Sequence, residues 1–216
     1  ISEHITERKI KKLRKYTEKT PLSKNRKIFH ESIALVLAVI IFSLALSWTW
    51  SSDNTEFMSL IFVNLFIIAL VFLIREGLRL FLSRKYTIDT SHVFWPFGSI
   101  LTLGSTILGN TFSLASFTML TDENDQKLYG KMYYRIFKVL YLICLICFLV
   151  NFFYPSVFLQ MTYVFIIMSL FIDMTPVEPM DGKDVRLWNK NKWTVLYAIV
   201  IVSYLIMNFS IYVPMI

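Results

Sequence analysis

Residues Phe57 to Tyr86 read FMSLIFVNLFIIALVFLIREGLRLFLSRKY. The first eighteen, Phe57 to Ile74, carry no charge, and an apolar run of that length can cross a hydrocarbon core. The helix then continues straight into Arg75, Glu76 and Arg79, with no Pro or Asx to stop it. Charges one turn apart at the end of a membrane span are costly unless they anchor the helix or build a site. The fold is therefore expected to be membranous, with anything unusual about it gathered around this helix end.

Composition agrees. Of 216 residues, 56% are hydrophobic, 16% aromatic and only 17% charged, against roughly 25% charged in a soluble domain. The net charge of +7 is largely N-terminal, where ten Lys and Arg face three Glu between Ile1 and Lys27. Directly ahead of a span, such a segment reads as a cytosolic flank touching anionic lipid and not as a nucleic-acid binder. The expected division is a basic cytosolic segment, 1–30, and a transmembrane domain, 31–216. The chain opens on Ile1, so a truncated or processed N-terminus is expected, and no cleavable signal precedes the first apolar run. Cys144 and Cys147 lie within LYLICLICFLV, a setting that disfavours a thiolate, so they read as small apolar residues and not a redox pair. His4, His30 and His92 offer no metal-ligand spacing.

Taken in order, Ile5–Tyr16 reads as a basic interfacial helix, broken at Thr20-Pro21. Ser32–Trp50 is a first span and Phe57–Ile74 a second, joined by the acidic Ser51–Glu56. From Ser91 to Thr121 no charge appears, yet Gly98, Gly104, Gly109 and many Ser and Thr make a plain span doubtful. Basic residues flank that stretch on both sides (Arg84, Lys85; Lys127, Lys131, Arg135, Lys138), so it should enter and leave on one side as a re-entrant loop or tight helical hairpin. Thr121–Lys127 is a polar turn. Val139–Phe153, Ser156–Ile172 and Trp193–Pro214 complete the set. The expectation is an all-α polytopic membrane protein of five to six transmembrane helices with a re-entrant element, N-terminus cytosolic, in the cell membrane.

The second informative segment is DMTPVEPMDGKDVRLWNK, Asp173 to Lys190. Pro176 and Pro179 cannot continue a helix and force an extended passage, after which Met180, Asp181 and Gly182 stand at the membrane edge. By itself this is a proline-rich loop with an aspartate. Together with Arg75-Glu76-Gly77-Leu78-Arg79, it resembles the site-2 protease family of intramembrane zinc metalloproteases (peptidase family M50) in its archaeal form. That family carries His-Glu-x-x-His at the end of one span and Asn-x-x-Pro-x-x-x-Leu-Asp-Gly near another. Pro176 and Met180-Asp181-Gly182 match the second motif, with Asp173 at the asparagine. The stretches Arg84-Lys85-Tyr86, Trp95-Pro96-Phe97-Gly98 and Val185–Lys190 are similar as well, and the likeness spans about 57–193. The resemblance implies a site-2-protease-like core with a re-entrant element, and a metal held by two histidines and the aspartate.

The departures decide the chemistry. Both histidine positions are arginine, at Arg75 and Arg79, and the Gly-Pro-x-x-Asn of many members is missing around Gly130-Lys131-Met132. Arginine is always protonated and has no lone pair for a metal, so no metal, no cofactor and no catalytic residue is expected. The leading expectation is a pseudoprotease that binds a client helix or serves as a structural subunit beside other membrane proteins, its partners being those proteins and the lipid bilayer. An active metalloprotease with an altered site, or a small transporter or channel lined by the buried charges, are the alternatives. A further expectation is that a guanidinium takes over the metal's electrostatic role. In that case Asp181 pairs with Arg75 or Arg79 and Glu76 joins, as against both arginines snorkelling to the interface.

Overall fold

The computed structural model describes residues 24–107, 115–120 and 125–212. The expected interfacial helix at Ile5–Tyr16 lies outside them, as do most of the polar turn after Leu120 and the last four residues. Among the described residues, seven helices and two strands follow one another: α1 (Lys24–Trp50), α2 (Asn54–Tyr86), β1 (Thr90–Phe94), α3 (Pro96–Ile107), β2 (Ser116–Leu120), α4 (Gln126–Phe153), α5 (Val157–Asp173), α6 (Gly182–Trp188) and α7 (Lys190–Tyr212). The fold is mostly helical, though not purely so. α1 (from Lys27), α2 and α4 are long and apolar enough to cross a membrane, and α5 is a shorter apolar helix. Large apolar side chains face outward along them, Phe62 at 74% exposure among them. A soluble monomer rarely shows so much contiguous apolar surface, and this chain is an integral membrane protein.

α1 and α2 form an antiparallel pair. The short loop between them starts α2: Asp53 Oδ1 accepts from the Glu56 amide at 2.7 Å, while Glu56 Oε2 accepts from the Ser52 amide at 2.8 Å, a reciprocal capping of free N–H groups. Deeper in, Asn64 Nδ2 donates to Ser47 Oγ at 2.9 Å and ties the pair together within its apolar stretch. Phe42, Phe72 and Phe165 bring α1, α2 and α5 together, with ring centroids 5.7 to 6.3 Å apart. α5 is buried on almost every side from Met161 to Ile167, so it is the central staff of the bundle and delivers Asp173 to its end.

Between α2 and α4 the expected re-entrant element is a strand–helix–strand excursion. β1 and β2 pair antiparallel, Thr90 opposite Leu120 and His92 opposite Thr118. The helix between them is inverted relative to a soluble amphipathic helix. Gly98, Ser99, Thr102 and Thr106 are buried, while Phe97, Ile100, Leu103 and Ile107 point outward, Ile107 at 79% exposure. Its hydroxyls are satisfied within the helix: Ser99 donates to Trp95 O, Thr102 to Gly98 O and Thr106 to Thr102 O. That local bonding lets a polar face pack on protein while the apolar face meets lipid. The strands are what the sequence reading did not foresee. Thr90-Ser91-His92-Val93-Phe94 has strand composition, but the glycines and small polar residues that follow it point only to a re-entrant loop or a tight helical hairpin.

Two glycines allow the close approaches that shape the site. A Cβ on Gly130 of α4 would stand 2.2 Å from Asp184 O, and one on Gly182 would stand 2.2 Å from Met174 O. Only glycine lets α4 meet α6, and the Met180–Gly182 segment fold onto the end of α5, at those distances.

Candidate functional site

The end of α2 still buries Leu82 in the core. The turns before it present Arg75, Glu76 and Arg79 to polar groups brought from four other elements, all three being largely buried. Arg75, 7% exposed, donates from Nη1 to Asp173 Oδ2 at 2.6 Å and from Nη2 to Asp181 Oδ2 at 3.0 Å. One guanidinium thus bridges the end of α5 and the loop before α6. Ser169 Oγ also donates to Asp173 Oδ2, at 3.1 Å. Tyr129 Oη stands 2.7 Å from Asp181 Oδ1 and 3.0 Å from Thr118 O, carrying the network across to β2.

Arg79, 2% exposed, turns the other way. Its Nε donates to Glu76 Oε2 at 2.6 Å and its Nη2 to Glu31 Oε2 of α1 at 2.8 Å. Nη1 reaches Thr90 Oγ1 at 2.8 Å and Thr90 O at 3.2 Å. Strand alternation puts His92 on the same face as Thr90, and His92 Nδ1 stands 3.3 Å from Glu76 Oε1. Among the described residues, both imidazole nitrogens of His92 and Glu76 Oε1 are buried without a hydrogen-bond partner, despite that approach.

Charge and burial set the protonation of the two groups outside the spans. Burial lowers His92 to about 4, with Glu76 opposing and Arg75 and Arg79 assisting, so the imidazole is neutral. Burial pushes Asp181 up to about 8; Arg75 pulls it back, and Asp173 adds to the rise because the two carboxylates share one guanidinium. These groups are held together, as a buried ion network must be.

The residues singled out from sequence thus divide. Arg75, Asp173 and Asp181 converge. Glu76 and Arg79 form a second knot with Glu31, Thr90 and His92, and Glu76 does not join Asp181. The two arginines share a helix face but serve different acceptors, since Glu31 and Thr90 lie on one flank and the two aspartates on the other. Neither snorkels to the interface. Pro176, Pro179, Met180 and Gly182 shape the loop that holds Asp181 in place; Met180 is buried and Pro179 is one of the walls of a cavity beside β2. Glu31, Thr90, Tyr129 and Ser169 were missed by the sequence reading. Their only signal was polarity in otherwise apolar helices and strands, which does not name a partner.

That cavity, about 290 Å³, is lined among others by Thr118, Met119, Leu120, Tyr129, Pro179 and Lys183. Among the described residues, β2 pairs with β1 alone. The Thr118 carbonyl that meets Tyr129 points away from β1, so by antiparallel alternation the Ser116, Thr118 and Leu120 backbone groups face the cavity side. Among the described residues no group of three or more His, Cys, Asp or Glu side chains is arranged to hold a metal ion. Comparison with protein-family models, with curated proteins and with solved structures finds no match to this chain.

Proposed function

We propose that this chain is a catalytically inert, site-2-protease-like membrane protein that holds an extended segment of a client membrane protein. In this reading the chain crosses the membrane five times with its N-terminus cytosolic, α7 being the last span. The observation that carries it is the Arg75 guanidinium lying between Asp173 and Asp181. The residues do not fit the family's zinc. The positions that would supply imidazoles supply guanidiniums, which have no lone pair and repel a divalent cation. Asp181 and Glu76 are already engaged by arginine. Because Arg75, Glu76, Arg79 and Asp181 make their contacts with one another and their neighbours, a clamp is favoured over a solvated transport path. What the site still offers is the open edge of β2 beside a polar cavity, the arrangement that accepts an added strand.

The test is site-specific photocrosslinking in native membranes. A photoreactive residue at Gln126, on the cavity wall, should give a discrete adduct that the same residue at lipid-facing Phe62 does not give. Leu120→Pro, which removes an N–H outside the β1–β2 ladder, should abolish the adduct. No adduct at Gln126, or one indifferent to Leu120→Pro, would sink the client-holding reading.

A further inference from the structure

The outward-facing apolar side chains of α2 end at Phe81, and those of α4, Leu128 apart, begin at Val139. Between those two boundaries the helices present a cluster of cations on an aromatic shelf. Lys131 Nζ lies 5.7 Å, and Arg135 Cζ 5.3 Å, from the centroid of the Tyr86 ring, and Lys138 Nζ lies 5.8 Å from that of Tyr134. Arg84 and Lys85 precede Tyr86 on α2 and are exposed. None of Lys131, Arg135 and Lys138 makes a salt bridge with a carboxylate among the described residues, whereas Lys27 and Lys183 each have one. The Tyr86 hydroxyl is buried and has no hydrogen-bond partner among the described residues. Two cations gathered over one ring repel each other unless an anion joins them, and an orphaned buried hydroxyl lacks a polar partner. Because apolar, lipid-facing surface runs up to the cluster from both helices, a bound anion there would have its hydrophobic tail beside it.

We propose that Tyr86, Lys131 and Arg135 form a binding site for the phosphate of an anionic phospholipid, with Lys138 at its rim. The headgroup takes the two cations and the Tyr86 hydroxyl, and its acyl chains lie along the apolar faces of α2 and α4. The site is separate from the Arg75 and Arg79 networks and does not depend on the client-holding reading.

The test is native mass spectrometry of the full chain purified in detergent with equal amounts of phosphatidylcholine and phosphatidylglycerol. The wild type should retain phosphatidylglycerol preferentially, and each of Lys131→Gln and Arg135→Gln should lower that preference about fivefold. Tyr86→Phe should weaken it with the charges intact, and Lys27→Gln, whose charge Asp89 already holds at 2.5 Å, should leave it unchanged. Equal retention of the two lipids, or a preference that survives the Lys131→Gln/Arg135→Gln pair, overturns the site. Displacement of the lipid by inorganic phosphate would mean a free-anion site, and the lipid assignment fails. If the glutamine variants do not give a monodisperse protein, wild type alone decides. Its preference must fall as salt is raised, and a salt-insensitive preference counts against the proposal.

Discussion

Removing the Arg75 guanidinium is the most informative single perturbation of this fold. Arg75→Met keeps the stem and deletes the charge that bridges Asp173 and Asp181, two carboxylates that are themselves buried. Breaking a buried pair from one side costs about 3–5 kcal/mol, because the other charge is left uncompensated. Here two carboxylates are orphaned, so the upper part of that range applies where both would be ionised. The loss is limited by protonation: each carboxylate that takes up a proton recovers about 1.4 kcal/mol per pH unit below its folded pKa. Asp181 already titrates near 8 with the arginine in place, so without it the proton is held more tightly still. The variant should therefore lose about 10 °C of thermal stability at pH 8.5, taking roughly 2–4 °C per kcal/mol for a chain of this size, and distinctly less at pH 6. Adding Asp173→Asn and Asp181→Asn to Arg75→Met should return most of the loss, since the triple variant buries no unpaired charge. Thermal unfolding in detergent, followed by intrinsic tryptophan fluorescence, reads all of this. A loss under about 1 kcal/mol at both pH values, the figure for an exposed arginine, or a triple variant that simply sums its parts, would refute the reasoning.

Other outcomes follow from neighbouring contacts. Arg79→Lys should destabilise by about 2–3 kcal/mol in the same assay, because one ammonium cannot serve Glu76, Glu31 and Thr90 from three directions. Gly130→Ala should cost roughly 1–3 kcal/mol through forced separation of α4 from the Asp184 backbone, and a neutral result would mean that the helices do not meet so closely. His92 gives a pH signature. Its folded pKa of about 4 lies below the ordinary 6.5, so the unfolded chain binds the extra proton between those values. Its contribution to stability is therefore present above pH 6.5 and lost as pH falls toward 4. The stability difference between wild type and His92→Gln should accordingly move in favour of the variant by up to about 3 kcal/mol over that window, and a pH-independent difference would show that His92 is not buried neutral.

The sequence disclosed some parts of this molecule and concealed others for identifiable reasons. The Phe57–Ile74 run named its helix because eighteen uncharged residues have few other destinations. Arg75, Arg79 and Asp181 stood out because charge at the end of a span needs a partner, but the choice of partner was invisible. Whether Asp181 met Arg75 or Arg79 depends on where α1 and β1 place Glu31 and Thr90, which only packing decides. The strands were concealed because β1 is only five residues long and faces polar groups on the site side, so neither alternation nor length marked it clearly. Tyr129 was unreadable for another reason. A tyrosine in a mostly apolar helix looks like core until its hydroxyl is found between Asp181 and Thr118. Gly130 and Gly182 were legible as glycines, yet only the approach of Asp184 and Met174 shows why they are needed.

The central proposal is that the arginine-filled site holds no zinc, and zinc content tests it most directly. Protein purified without chelators and measured by inductively coupled plasma mass spectrometry should contain far less than one zinc per chain. Arg75→His/Arg79→His, which puts imidazoles at both arginine positions, should raise that content. One zinc per chain in the wild type, lost on Asp181→Ala, would contradict the account.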